Sequence, residues 1–171
     1  HGRYVSFDAK YEKNDSSFVF LPIYIMSSSI TSSNANERLE RHLMNYYPTF
    51  YSVHRTEILK NNYRQLLDSA VDPMQFGELL PSLLTLISGK MEKLDVLYAA
   101  RQADSRASYW PKLTEYIEQG KYESEYIKFK NCLADSLSKN SDLDVVSSKK
   151  IIDDAMSAYV EKSFTSINRK G

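Results

Sequence analysis

The sequence predicts a mainly α-helical protein, a compact bundle of about five or six helices preceded by an N-terminal β-hairpin. From Leu79 to Tyr98, apolar residues recur every three or four positions, which is the period of one helix face. From Tyr4 to Tyr11, apolar and polar residues alternate, which is the period of a half-buried strand. A chain of 171 residues has the size of one domain. We therefore expect a single domain over 1–171, with the hairpin and a linker at 1–33 and the helical bundle at 34–171.

The predicted hairpin needs a neighbour. Its second strand is the apolar run from Phe18 to Met26, in which Pro22 is restricted to a sheet edge or a bulge. Because a two-stranded hairpin is marginally stable in water, we expect it to dock on the helical body or to pair with a second chain, and internal docking is favoured. The side chains expected to make this contact are Val5, Phe7, Phe18, Phe20 and Ile23.

The long stripe predicts the central helix of the bundle. Pro81 suits the first turn of a helix, where no backbone N–H is needed, and Gly89 is expected opposite the stripe. If the stripe is the centre of the core, Leu94→Ala should cost about 2–5 kcal/mol of stability. The residues of the stripe are Leu80, Leu84, Ile87, Met91, Leu94 and Tyr98.

Capping and turn signals divide the rest of the chain into further helices. Ser, Asn and Asp favour helix starts, Pro interrupts helices and Gly favours their ends. The first predicted helix starts at Asn34 or Asn36 and is interrupted at Pro48, and a long helical segment follows to about Ala70. The central helix starts at Asp72-Pro73. Three further helices are predicted from Ser108 to Gly120, from Tyr122 to Leu137 and from Ser147 or Ser148 to Phe164. Glu37 to Arg41 has the mixed charges of a solvent-exposed helix face. The residues expected to face inward before Ala70 are Ile58, Leu59, Tyr63, Leu66 and Leu67.

Charge and hydropathy argue against two classes of partner. The 22 basic and 22 acidic residues give a formal net charge of zero, and no Lys/Arg-rich run is present, so we predict no nucleic-acid partner. The longest apolar stretch is too short to span a membrane, so we expect a soluble chain. His1 in place of an initial Met fits a tag remnant or a removed signal peptide. A cytoplasmic and a periplasmic or secreted location both stay open.

Few residues of the sequence are candidates for catalysis or for metal and cofactor binding. Glycine-rich nucleotide loops, HExxH spacing and multi-cysteine clusters are missing from the sequence, so we predict no cofactor, no metal and no catalytic residue. The best candidates are His54 and Glu57, which can share a helix face and act as an acid/base pair or as metal ligands. The alternative for them is an ordinary surface histidine with a solvated carboxylate. Cys132, with no histidine nearby in sequence, is expected to be a buried or half-buried spectator.

Aromatic residues are the most distinctive feature of the composition, with thirteen tyrosines and seven phenylalanines. They cluster at the Pro48 break and at the start of the helix predicted after Ser108. Tyr and Trp are enriched at interface hot spots, although aromatics at such breaks can equally fill the core where helices change direction. The candidate partner-binding residues are Tyr46, Tyr47, Tyr51, Tyr109 and Trp110.

These observations favour a non-enzymatic, soluble protein-binding or accessory protein, such as a bacterial inhibitor or immunity-type factor. Two alternatives stay open. One is a small helical enzyme or ligand-binding protein that uses His54 and Glu57, and the other is a structural subunit of a larger assembly. A deep pocket at His54 would favour chemistry, whereas an exposed aromatic patch would favour a protein partner. The oligomeric state is left open.

Overall fold

The computed structural model describes residues 3–12, 15–20, 28–47, 49, 52–72, 76–102 and 122–168. This part of the chain is mainly helical, as predicted, and contains five α-helices. In chain order, the elements are β1 (Arg3–Glu12), β2 (Asp15–Phe20), α1 (Ala35–Met44), α2 (Thr56–Asp68), α3 (Leu79–Ser88), β3 (Leu97–Gln102), α4 (Glu123–Lys139) and α5 (Val145–Asn168). Within these ranges, no helix is both long and apolar enough to cross a membrane.

Helix α3 is the centre of the bundle. It packs against α1, α2 and α4, and a helix that is apolar on all sides has to be covered on all sides. Pro81 lies in its first turn, as predicted. The prediction of a central helix is therefore confirmed for Leu79–Ser88. Its buried residues are Leu79, Leu80, Pro81, Ser82, Leu83, Leu84, Leu86 and Ile87.

Beyond Ser88, the prediction of a continuous helix is wrong. Gly89 follows the last turn with an extended backbone (φ −169°, ψ 177°) instead of lying within the helix. The Met91 amide donates to the carbonyl of Ile30, and the Ile30 amide donates back, each at 2.8 Å. Leu94 is 54% exposed and therefore outside the core.

The guanidinium of Arg38 explains why α3 ends where it does. In a longer helix, the carbonyls of Leu86 and Ile87 would accept from the amides four residues later. Arg38 Nε and Nη2 donate to these two carbonyls instead, both at 2.7 Å. The cation also lies at the C-terminal end of α3, where the helix dipole favours positive charge. Arg38 is only 6% exposed, so the mixed-charge segment from Glu37 to Arg41 contains one buried cation, while Glu37 and Glu40 are exposed.

The strands form one three-stranded sheet in the order β2-β1-β3. β1 and β2 pair antiparallel, with Phe7 opposite Phe20 and Glu12 opposite Asp15. β3 pairs parallel to β1 and occupies residues that the helical stripe placed at the end of the central helix. Contacts of the hairpin side chains with the helical body or with a second chain stay a prediction.

Helices α4 and α5 complete the core. The predicted apolar stripe of α4 is buried at Tyr122, Phe129, Leu133 and Leu137, and the ring of Phe129 stacks on that of Phe76 at a centroid distance of 4.3 Å. α5 begins two residues before the predicted Ser147, because an Asp144 carboxylate oxygen accepts from the Ser147 amide at 2.7 Å and caps the first turn. The helix predicted from Ser108 to Gly120 lies outside the described residues.

Candidate functional site

The described part of the chain has an open apolar groove along α2. The groove has a volume of about 420 Å³. Leu59, Tyr63 and Leu67 lie at four-residue spacing, so they form one row along the helix that is about 12 Å long. Leu67 at the end of this row is 76% exposed, so the prediction that it faces inward is wrong. The residues lining the groove are His54, Thr56, Leu59, Lys60, Tyr63, Arg64 and Leu67.

Helix α2 leaves Leu67 exposed and Leu59 and Tyr63 only half-buried, because it packs on α3 through the neighbouring row. Asn62 and Leu66 are the buried residues of α2, and they are turned by about 100° from Tyr63 and Leu67. The Asn62 side-chain amide donates to the Thr85 hydroxyl of α3 at 3.0 Å. A polar residue thus anchors the packed row, while two leucines and a tyrosine line the groove.

The groove is positive at its rim. Lys60 and Arg64 line it, and the described lining residues include no carboxylate. Lys60 forms an ion pair with Glu57 at 3.1 Å, with both side chains exposed, and such pairs contribute little to stability. Arg64 donates to the Asn61 side-chain oxygen at 3.2 Å. Both cations can therefore turn toward a negatively charged ligand at low cost.

The candidate pair of His54 and Glu57 is split between different partners. His54 Nε2 lies 3.0 Å from the carbonyl oxygen of Thr49 and lines the groove, whereas Glu57 pairs with Lys60 and is not a lining residue. Among the residues with described side chains, no three His, Cys, Asp or Glu groups are placed to hold a metal ion. The groove thus presents one histidine without an acidic neighbour in its lining.

Two of the five candidate aromatic residues are described, and both pack against other side chains. Tyr47 is 8% exposed, and its hydroxyl donates to the Met91 sulfur at 2.8 Å. Tyr46 is half-buried and contacts the rings of His42 and Tyr159 edge-on, at centroid distances of 5.3 and 5.8 Å. This placement is the one expected if the pair fills the core at the end of α1. Tyr51, Tyr109 and Trp110 lie outside the described residues.

The imidazole of His42 is fully buried between Tyr46 and Tyr47. Neither Nδ1 nor Nε2 has a hydrogen-bond partner among the residues that the structure describes. A charged imidazolium would lose its hydration there without compensation, so burial lowers the pKa of His42 from 6.5 to about 4. The folded protein therefore holds this histidine in its neutral form at neutral pH.

We predict that His42 makes the protein less stable in mild acid. Between pH 6.5 and about 4, the unfolded chain binds a proton at this imidazole and the folded chain does not. The free energy of unfolding should then fall as pH falls, by about 3 kcal/mol in total. Urea titrations of the wild type and His42→Phe at pH 7 and pH 4.5 measure this loss. The variant should lose much less stability than the wild type, and equal losses would contradict the assignment.

Cys132 lies in a second, polar groove of about 400 Å³ between α2 and α4. Burial, together with the negative charges of Asp135 and Asp68, raises the pKa of its thiol from 9.0 to about 11. The thiol Sγ is 3.9 Å from the Gln65 carbonyl oxygen. A nucleophilic cysteine needs the opposite shift, so this environment fits the predicted spectator.

The thiol of Cys132 should react slowly in the folded protein. A pKa of about 11 instead of 9.0 lowers the thiolate fraction near neutral pH about 100-fold. Labelling with an excess of a thiol reagent at pH 7.5 should therefore be slower than labelling in urea by at least that factor. Equal rates in the folded and unfolded chain would show that Cys132 is accessible and activated.

Sequence reasoning missed the split of α2 into two rows. Periodicity places the five apolar residues from Ile58 to Leu67 on one inward face, because the buried row consists of the apolar Leu66 and the polar Asn62. The available signal was the width of that face. Residues 58, 59, 63, 66 and 67 spread over more of the helix circumference than one neighbouring helix can cover.

No protein-family model, curated protein or solved structure matches this chain. Its function therefore has to be inferred from its own residues.

Proposed function

We propose that this chain is a non-enzymatic protein-binding protein, and that its partner contacts the α2 groove. The observation that carries this proposal is the row of Leu59, Tyr63 and Leu67, in which Leu67 is exposed and the other two side chains are half-buried. Leu67 is 76% exposed at the end of an apolar groove. Grouped apolar side chains of this kind, with charged residues at the rim, are typical of protein interaction sites.

The same residues favour a protein partner over a catalytic reaction. The groove is open along a helix, and its described lining consists of two leucines, one tyrosine, two cations, one histidine and one threonine. Catalysis by general acid and base requires two titratable groups within reach of one substrate. Glu57, the expected partner of His54, is instead paired with Lys60. His54 and Glu57 therefore support a catalytic function less well than the apolar row supports a protein-binding function.

The aromatic residues of the sequence fit this proposal in part. Tyr63 lines the groove and, like Tyr46, also packs against the core, whereas Tyr47 is buried. Tyr51, Tyr109 and Trp110 stay candidate contact residues. An accessory, inhibitor or immunity-type role requires such a contact surface and no catalytic group, so it stays our proposal for the wider function.

A matched pair of leucine substitutions tests the proposal. Leu67 lies in the groove, and Leu94 is also exposed but lies between α3 and β3. The wild type and the two variants are immobilised and exposed to proteins of the source organism. We select and purify a protein that binds the wild type and Leu94→Ser but does not bind Leu67→Ser. Calorimetry with the purified partner should then show at least about tenfold weaker binding by Leu67→Ser and an unchanged Kd for Leu94→Ser.

The control is the free energy of unfolding of the wild type, Leu67→Ser and Leu94→Ser, which should be equal within about 0.5 kcal/mol. Both leucines are exposed, and surface substitutions change stability by no more than about this amount. Equal binding of the partner by wild type and Leu67→Ser would contradict the proposed surface. Equal weakening by both substitutions would contradict it as well, because it would indicate a general hydrophobic attraction.

A further inference from the structure

We infer that the α2 groove binds an amphipathic helix of another protein whose apolar row is flanked by Asp or Glu side chains. This inference rests on the proposed function and adds the chemistry of the partner. Its basis is the arrangement of two parallel rows on α2 in the described part of the chain. One row is apolar, and the other contains the cations Lys60 and Arg64, which we call the cationic row, before it ends at the carboxylate of Asp68.

The apolar row favours a helix as the partner. Side chains at four-residue spacing form a ridge on the helix surface, and helices pack by placing such a ridge into the groove between ridges of the other helix. The open groove extends from His54 to Leu67, so its helical part spans about three turns of α2. Two or three apolar residues at four-residue spacing on the partner would fill it, in the manner of other helix-in-groove complexes.

The cationic row favours carboxylates beside those apolar residues. Lys60 follows Leu59 and Arg64 follows Tyr63, so the two cations are themselves four residues apart and lie along one side of the apolar row. Glu57, paired with Lys60, is exposed and can be exchanged for a carboxylate of the partner at little cost. Arg64 has a planar guanidinium that can bind a carboxylate with two parallel hydrogen bonds.

A basic apolar groove also resembles a surface that binds anionic lipids. The apolar row of α2 makes this the weaker alternative, because Leu59 and Tyr63 are half-buried beside the core and only Leu67 is fully available for insertion into a bilayer. Interfacial helices bury a whole apolar face in the membrane. Vesicles of an anionic phospholipid are therefore included in the test as a separate probe.

Two designed peptides test the inference. Both are short alanine-based helices with leucines at four-residue spacing; one has glutamates beside the leucines and the other has lysines at the same positions. Each is titrated into the full chain with methyl-labelled leucines, and the shifts of the Leu59 and Leu67 methyl groups are followed by NMR. The acidic peptide should bind at least about tenfold more tightly than the basic peptide at low salt.

Charge reversal provides the decisive control. In the double variant Lys60→Glu, Arg64→Glu, the preference should invert, with the basic peptide binding more tightly. Equal Kd values for the two peptides, a preference that does not invert, or no methyl shifts with either peptide would each overturn the inference. Shifts with anionic vesicles alone would also overturn it, as would contacts of Leu59 and Leu67 with residues 103–121 in the free chain.

The outcome can be separated from that of the proposed function. If the natural partner depends on Leu67 but its Kd is unchanged by the double charge reversal, the groove binds a protein and the acidic-helix inference is wrong. If the natural partner is indifferent to Leu67→Ser, the proposed surface itself is wrong.

Discussion

Arg38→Met should reduce the free energy of unfolding by roughly 3–5 kcal/mol. Arg38 donates four hydrogen bonds to backbone carbonyls, to Leu86 and Ile87 at the end of α3 and to Ser32 and Ser33 before α1. Hydrogen bonds from a charged donor contribute about 1.5–3 kcal/mol each, and the cost of burying the guanidinium offsets part of their sum. Chemical denaturation of the wild type and Arg38→Met measures the loss.

Two further measurements make this prediction specific. Arg41→Met changes the same residue type on the same helix, but Arg41 is exposed, so its effect should stay within about 0.5 kcal/mol. In Arg38→Met, hydrogen exchange should also accelerate at the paired amides of Ile30 and Met91, because the guanidinium holds the adjoining segments together. Similar stabilities of the Arg38 and Arg41 variants would show that Arg38 does not determine the end of α3.

Leu84→Ala should cost about 2–5 kcal/mol, whereas Leu94→Ala should cost no more than about 0.5 kcal/mol. Leu84 is fully buried in α3, and Leu94 is 54% exposed after the helix has ended. Sequence periodicity alone predicts similar losses for both, because the two leucines belong to the same stripe. Denaturation midpoints of the two alanine variants therefore separate the sequence prediction from the structure.

A large loss for Leu94→Ala would mean that the central helix continues beyond Ser88. A small loss for Leu84→Ala would mean that α3 is not the centre of the core. Either result would contradict the fold described above, and the first would also remove Leu94→Ser as the control for the binding experiments.

Local periodicity was sufficient for α4 and for the helical part of the central stripe. The stripe through Phe129, Leu133 and Leu137 in α4 is buried as predicted. The first three residues of the central stripe, Leu80, Leu84 and Ile87, are also helical and buried. In these segments, hydrophobic spacing and helix propensity favour the same structure, so tertiary contacts do not alter the prediction.

The end of the central helix could not be predicted in the same way, because it depends on residues distant in sequence. Arg38 lies 48 positions before Leu86, to whose carbonyl it donates, and Ile30 pairs with Met91 across a similar separation. A local signal did exist at Arg38, which falls within the apolar row of Ala35, Leu39 and Leu43. The position of Arg38 in this row indicates a buried side chain, whereas the mixed charges of its immediate neighbours indicate an exposed one.

The candidate site was predicted only in part. His54 does line the α2 groove, and Tyr63 belongs to it, but Tyr46 and Tyr47, the described members of the aromatic clusters, are not among its lining residues. A composition bias toward tyrosine cannot distinguish a ring that fills the core from one that faces a partner, because both places suit its apolar body and polar tip. The exposed position of Leu67 became visible only once α2 was placed on α3.

We propose that a protein partner contacts the row of Leu59, Tyr63 and Leu67 on α2, and methyl NMR tests this central proposal most directly. Leucine methyl spectra of the full chain are compared with and without the purified natural partner. We predict that the signals of Leu59 and Leu67 shift or broaden, while those of the buried Leu84 and the exposed Leu94 stay in place. Changes at Leu94 with unperturbed Leu59 and Leu67 signals would contradict the claim and place the interaction surface elsewhere on the chain.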